Sequence, residues 1–198
     1  MGISLAIDDF GSGDSNFLRL ATFPIQMVKL HRGLFTPVYE NPQSVLNFLG
    51  SLIQIGNDFG WEIVVEGLET FEMVEAVFML GARYGQGFYF AKPIAKEQVM
   101  EWKSTFSLTT LSKNIIYTTL GALAYLIRSV RNSRSHMPSE GECPITKFFV
   151  KRGWNDTEGM ALHHQIHEGV TDSGTYKQLL DWVENQIRKE NSSLVGLG

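Results

Sequence analysis

Residues 4–15 read SLAIDDFGSGDS, a short apolar run that ends in two adjacent carboxylates and a glycine-rich turn. Ser4-Leu5-Ala6-Ile7 is the kind of segment a parallel sheet buries on both faces, and Asp8 and Asp9 stand where such a strand would end. The pattern recurs at residues 27–30 (MVKL), 63–65 (IVV) and 87–90 (GFYF). Helical periodicity fills the gaps. Val45, Phe48, Leu49, Leu52, Ile53 and Ile55 form one stripe across residues 44–59, and Phe71, Val74, Val77 and Phe78 form another across 70–80. Thr70 and Glu72 suit the start of that second helix, because an acid near the positive end of the helix dipole is favourable. Residues 95–102 read as a further helix. Strand and helix in alternation predict an α/β architecture built on a parallel sheet.

Composition narrows the function classes. The 198 residues carry a formal charge of −4, with 43% apolar and 19% charged side chains. That apolar content supports a packed core, and mild acidity argues against a phosphate-neutralising grip on DNA. One cysteine, Cys143, excludes an intramolecular disulfide framework and suits a reducing compartment. The opening MGISLAIDDF lacks a basic region followed by an apolar one, and the apolar-leaning run 115–127 is shorter than the ~20 residues of a membrane span. The expectation is a cytoplasmic chain with no membrane segment.

Beyond residue 104 the pattern becomes helical. Residues 108–134 read as one long helix, residues 132–142 as a polar hinge, and residues 145–152, 156–168 and 176–189 as three short helices. The organisation expected is therefore 1–104 for the α/β part, 105–135 for a connecting helix and 136–198 for a small all-α domain. Trp154, Tyr176 and Trp182 are expected to pack its core.

Four polar side chains join the acidic pair at expected strand ends. Lys29 interrupts an apolar strand, where an unpaired ammonium is costly and so requires carboxylate partners. Glu66 and Glu69 follow 63–65 around Gly67, and Gln86 opens the next strand. Parallel α/β folds place their active sites at these C-terminal strand ends. Hard oxygen donors such as Asp8, Asp9 and Glu66 select Mg²⁺ or Mn²⁺, and two such ions can assist phosphodiester hydrolysis with Lys29 offsetting developing charge. Two plainer readings stand beside this one. The acidic pair can be strand-end and cap chemistry, and Lys29–Glu66 a salt bridge between neighbouring strands.

Residues 6–30 (AIDDFGSGDSNFLRLATFPIQMVKL), 64–70 (VVEGLET) and 80–93 (LGARYGQGFYFAKP) closely resemble successive motifs of EAL-domain cyclic-di-GMP phosphodiesterases. That family's pattern runs DDFGTGYSSL, then a Lys in the next strand, then AEGVET, then QGYYFxxP. The resemblance implies the C-terminal half of an EAL-type (β/α)₈ TIM-like barrel and metal-dependent hydrolysis of cyclic di-GMP to pGpG. By the same resemblance Asp8 and Asp9 bind Mg²⁺ or Mn²⁺, Lys29 positions water, Glu66 lies near the metal and Glu69 steadies the loop after the acidic pair. Gln86 lies near the substrate. Partners implied are cyclic di-GMP and a homodimer or upstream signalling domains. Ser12, Asp14, His31 and Val65 depart from the pattern, and no counterpart of the family's E-A/V-L signature precedes Asp8. The expectation is an isolated chain with little or no activity. The alternative is a non-catalytic cyclic-di-GMP signalling module with a regulatory helical tail.

The tail holds a second constellation. His163 and His167 are one helical turn apart and share a face, a geometry suited to Zn²⁺ together with Cys143. His164 points elsewhere, and His136 is a candidate fourth ligand. The plainer reading is a buried cysteine with histidines at helix ends.

Overall fold

A computed structural model describes residues 3–13, 22–131, 138–169 and 173–195. Four parallel strands, β1 (Ala6–Phe10), β2 (Met27–Leu30), β3 (Glu62–Val65) and β4 (Tyr84–Gly85), lie side by side in chain order. Neighbours that follow chain order are what consecutive strands of a (β/α)₈ barrel show. Helices α1 (Pro42–Phe59) and α2 (Phe71–Leu80) make the crossovers from β2 to β3 and from β3 to β4. Pro42 occupies the first turn of α1, where its missing N–H costs nothing. Thr70 caps α2 by accepting the Met73 N–H, and Glu72 sits in the first turn as expected.

The core begins between sheet and helices. Val28, Leu30, Ile63 and Val65 meet Leu46, Leu49, Ile53, Val74 and Val77, all nearly inaccessible to solvent. On the far side of α1 and α2 lies α4 (Thr119–Arg131), which packs most closely on α2 and then on α7 (Ser173–Val195). The small helices α3 (Val99–Thr105), α5 (Pro144–Lys151) and α6 (Glu158–His167) complete the described elements. Trp154 and Trp182 meet edge-to-face with centroids 5.2 Å apart, and both stack about Phe149, so the tail's aromatics form the core expected of them. Tyr176 is buried there too. No helix among the described residues is long and apolar enough to cross a membrane.

The structure corrects four details. First, β1 runs three residues past Ile7, so both aspartates lie within the strand. Second, residues 87–90 form a turn, and the strand expected there is the dipeptide Tyr84–Gly85. After Gln86 the chain wraps onto Leu68, which donates its N–H to the Gln86 carbonyl (3.1 Å) and accepts the Tyr89 N–H (3.0 Å). A Cβ on Gly87 would lie 2.0 Å from the Leu68 carbonyl oxygen, so only glycine permits this approach. Third, the helix expected across 95–102 is a 3₁₀ turn (Lys96–Gln98) followed by α3.

Fourth, the long helix expected from residue 108 begins only at Thr119, and residues 132–134 lie outside the described residues. The cause is Glu75, a fully buried residue of α2. Its carboxylate accepts the backbone N–H groups of Tyr117 (2.7 Å) and Thr118 (2.8 Å) and the Thr118 hydroxyl (2.6 Å). Donors held this way cannot bond to carbonyls a turn earlier, so the helix cannot extend upstream. The Thr118 oxygen in turn accepts the Gly121 N–H at 2.9 Å, which makes Thr118 the N-cap of α4.

Candidate active site at the strand ends

Successive side chains of a regular strand point to opposite faces, so adjacent aspartates in β1 would diverge. Two local features bring them together. The β1–β2 register shifts between Ile7 and Phe10, and Asp9 adopts φ 53°, in the left-handed region. Aspartate tolerates that conformation better than most residues, and a register irregularity is a known way to re-aim a side chain beside a site. As a result one carboxylate oxygen from each of Asp8, Asp9 and Glu66 lies within 4.8 Å of the others. Glu66 comes from the residue after β3, whose N–H bonds to the Leu30 carbonyl at 3.1 Å.

Lys29, in β2 between the other two strands, ties the group together. Its Nζ donates to Asp8 Oδ1 at 2.8 Å and is paired with Glu66 Oε1. The salt bridge between neighbouring strands is therefore present, and it is part of the carboxylate cluster itself. Hydrogen bonds to Asp8 and then Glu66 raise the Lys29 pKa above its ordinary value, so the ammonium stays protonated. The bond from Lys29 holds the Asp8 carboxyl below the usual aspartate value, against the weaker opposing effect of burial. Three carboxylates against one ammonium leave the cluster formally negative. Six to eight oxygen ligands suit hard divalent cations, and these donors are of the right chemistry to supply part of such a shell.

The other expected site residues fall nearby with less definite roles. Gln86 follows β4; its N–H bonds to the Val65 carbonyl at 2.9 Å and its side chain is exposed. Glu69 is exposed on the loop between β3 and α2. The loop it was expected to steady runs through Asp14, outside the described residues. His31 has a local task, accepting the Gly33 N–H on its Nδ1 at 3.1 Å to cap the turn at Arg32–Leu34. A cavity of about 810 Å³ opens at the opposite ends of β3 and β4, where Glu62, Arg83 and Tyr84 face Lys113, Arg128 and Arg131. Its basic lining was not read from the sequence, since Arg83, Lys113 and the α4 arginines come from three separate segments.

The tail's constellation also assembles. Cys143, His163 and His167 each offer one donor atom within 4.8 Å of the other two. His164 turns away and pairs with Glu140 instead. His136 lies outside the described residues. Burial, followed by the neighbouring imidazoles of His167 and His164, pushes the His163 pKa down to about 3.

Residues 1–93 match the EAL domain family. The cyclic di-GMP phosphodiesterase RocR of Pseudomonas aeruginosa is 34% identical over 104 residues, covering 52% of this chain and 26% of that protein. The oxygen sensor protein DosP of Escherichia coli is 31% identical over 105 residues, covering 53% of this chain and 13% of that protein. Among solved structures, the EAL domain of Mycobacterium smegmatis DcpA aligns with a TM-score of 0.50 at 29% identity, over 55% of this chain and 48% of that one. The chain thus spans about a quarter or less of the length of these curated relatives.

Proposed function

We propose, on the premise that residues 1–93 belong to the EAL-domain family, that this chain serves cyclic-di-GMP signalling. In this reading it carries the Asp8–Asp9–Lys29–Glu66 face of a cyclic-di-GMP phosphodiesterase site. The observation that supports this most is the convergence of three carboxylates from β1 and the end of β3, two of them paired with a protonated Lys29. The α/β part is assigned to residues 1–104, with 105–135 connecting it to the helical part at 136–198.

In the full site Asp8, Asp9 and Glu66 would hold Mg²⁺ or Mn²⁺. Such ions, when bound, activate water and offset negative charge on a phosphodiester. The chain's own residues set the rest. Lys29 has three N–H donors, of which two are directed at Asp8 and Glu66, leaving one for a water or a phosphoryl oxygen. Because it stays protonated, it acts as donor and positive charge and not as a base. Its two ion pairs also fix the carboxylates' positions before any ion arrives, a form of preorganisation. Gln86, which follows β4 beside the β3 end, would meet the substrate in this reading.

The three carboxylates gathered among the described residues fall short of the shells of two hard ions, each of which takes about six oxygens. This polypeptide alone is therefore expected to bind Mn²⁺ weakly and to turn over little or no cyclic di-GMP. Calorimetric titration with Mn²⁺, with and without cyclic di-GMP, tests the binding: heat should appear for the native chain and vanish in Asp8→Asn. Chromatographic detection of pGpG tests turnover. Product formed by the native chain and abolished in Asp8→Asn would show a complete active site and overturn the inactive reading. Absence of any binding that depends on Asp8 would favour a module with no metal site.

A further inference from the structure

The helical tail contains a buried donor set that the carboxylate site does not use. Cys143 immediately precedes α5, and His163 and His167 lie one turn apart near the end of α6. Cys143 and His163 are only 2% and 1% exposed. Two ring nitrogens, His163 Nδ1 and His167 Nε2, are buried without a hydrogen-bond partner. Native proteins satisfy nearly all buried polar atoms, so two orphaned nitrogens beside a thiol require an explanation.

We propose that Cys143 Sγ, His163 Nδ1 and His167 Nε2 form a binding site for one divalent ion of the zinc class. A sulfur and two imidazole nitrogens are borderline-soft donors, which favour Zn²⁺ over Mg²⁺ or Ca²⁺. One donor atom from each of the three residues lies within 4.8 Å of the other two. A tetrahedral ion at ~2.3 Å from sulfur and ~2.0 Å from nitrogen draws its donors to roughly 3.5 Å, so closure takes side-chain adjustments on the order of an ångström.

The surroundings are arranged for coordination. The His163 ring is held through its other nitrogen, Nε2, which lies 3.1 Å from the Thr146 hydroxyl. With Nε2 protonated and donating to Thr146, Nδ1 is left with its lone pair, the tautomer a metal needs. Thr146 also serves the sulfur: its hydroxyl and backbone N–H, together with the Ile145 N–H, hydrogen-bond to Cys143. Burial pushes the Cys143 thiol pKa up and these donors act against it, so they would steady the sulfur at the start of α5 once an ion displaces its proton. Glu140 is close enough for its charge to act on both Cys143 and His167. Three protein donors leave the fourth tetrahedral position to water.

The site ties the start of α5 to the end of α6, and both helices carry residues of the aromatic core shared with α7. Bound zinc therefore braces the tail, and its loss loosens these helices first. This inference stands apart from the carboxylate site and survives that site's failure.

The test uses the whole purified chain. Elemental analysis after dialysis against Zn²⁺ should find one zinc per chain, lost in His167→Gln while the circular dichroism spectrum stays native. Zinc should raise the melting temperature of the native chain and leave that of His167→Gln unmoved. Substitution with Co²⁺ should give a near-ultraviolet thiolate-to-cobalt band, absent in Cys143→Ser, and the native band alone decides if that variant fails to fold. Zinc should be retained in Asp8→Asn/Glu66→Gln, which separates the two sites. Substoichiometric zinc in the folded native chain, or cobalt bound without the thiolate band, overturns the proposal.

Discussion

Replacing Glu75 with alanine will uncouple the sheet-side helices from α4. The carboxylate is fully buried and accepts three hydrogen bonds, from the N–H groups of Tyr117 and Thr118 and from the Thr118 hydroxyl. Alanine leaves those donors without an acceptor, at about 1–3 kcal/mol for each that water cannot reach. Tyr117 and Thr118 are only half-buried, so water recovers part of the loss. Releasing a buried carboxylate offsets some more. The net destabilisation should be about 3 kcal/mol, a shift of roughly 6–12 °C in melting temperature for a chain of this size. Glu75→Gln keeps one acceptor but turns an N–H₂ toward a cluster of donors, and should cost about 2 kcal/mol.

Linkage gives the same site a pH signature. Burial is the main cause that raises the Glu75 pKa above its ordinary 4.5, outweighing the donors that pull it down. Between the unfolded value and that raised value the native state holds more protons than the unfolded state, so stability falls as pH rises through the window. Glutamine does not titrate. The advantage of the native chain over Glu75→Gln should therefore be largest below pH 4.5 and shrink as pH rises above it. Urea denaturation followed by circular dichroism measures both effects. A loss under about 1 kcal/mol for Glu75→Ala, or a native advantage that grows with pH, refutes the reasoning.

Gly121→Ala puts a Cβ 2.3 Å from the Glu75 carboxylate and should destabilise by about 3 kcal/mol. In a Glu75→Ala background the same change should cost little, and additive losses in a double-mutant cycle would show that Gly121 acts otherwise. Arg188, paired with Glu184 one turn away on the half-exposed face of α7, should be nearly dispensable. Arg188→Ala is expected to cost at most ~0.5 kcal/mol by denaturation, and a loss several times larger would reveal an unseen role.

What the sequence disclosed depended on how local each signal was. β2 and β3 were legible because most of their side chains are buried or half-buried, which leaves short apolar runs broken only by Lys29 and opened by Glu62. β1 was placed three residues short because adjacent aspartates look like a strand end, whereas a register shift keeps them inside the strand. GFYF at 87–90 has strand composition, yet backbone bonds to Leu68, a nonlocal partner, fold it into a turn. The start of α4 was hidden for a similar reason. Glu75 looks like one solvent-facing acid in an apolar helix, and only the tertiary fold shows that it sets a helix boundary more than forty residues away. The Asp8–Lys29–Glu66 cluster was readable because each residue is a charge in or directly after a short apolar strand of one parallel sheet. The spacing of His163 and His167 was equally plain, but the approach of Cys143 depends on how α5 meets α6.

The contact between Gly87 and Leu68 has a mechanical consequence. Leu68 is bonded on one side to the Gln86 carbonyl and on the other to the Tyr89 N–H, while the Gln86 N–H is held by Val65. With no side chain between them, the two loops lie backbone against backbone and move as one stiff plate. Glu66 and Gln86 ride on that plate, and Lys29 links Glu66 onward to Asp8. A displacement of Gln86 is thus passed to the loop carrying Glu66 through backbone hydrogen bonds and not through charge, which couples the two loops mechanically.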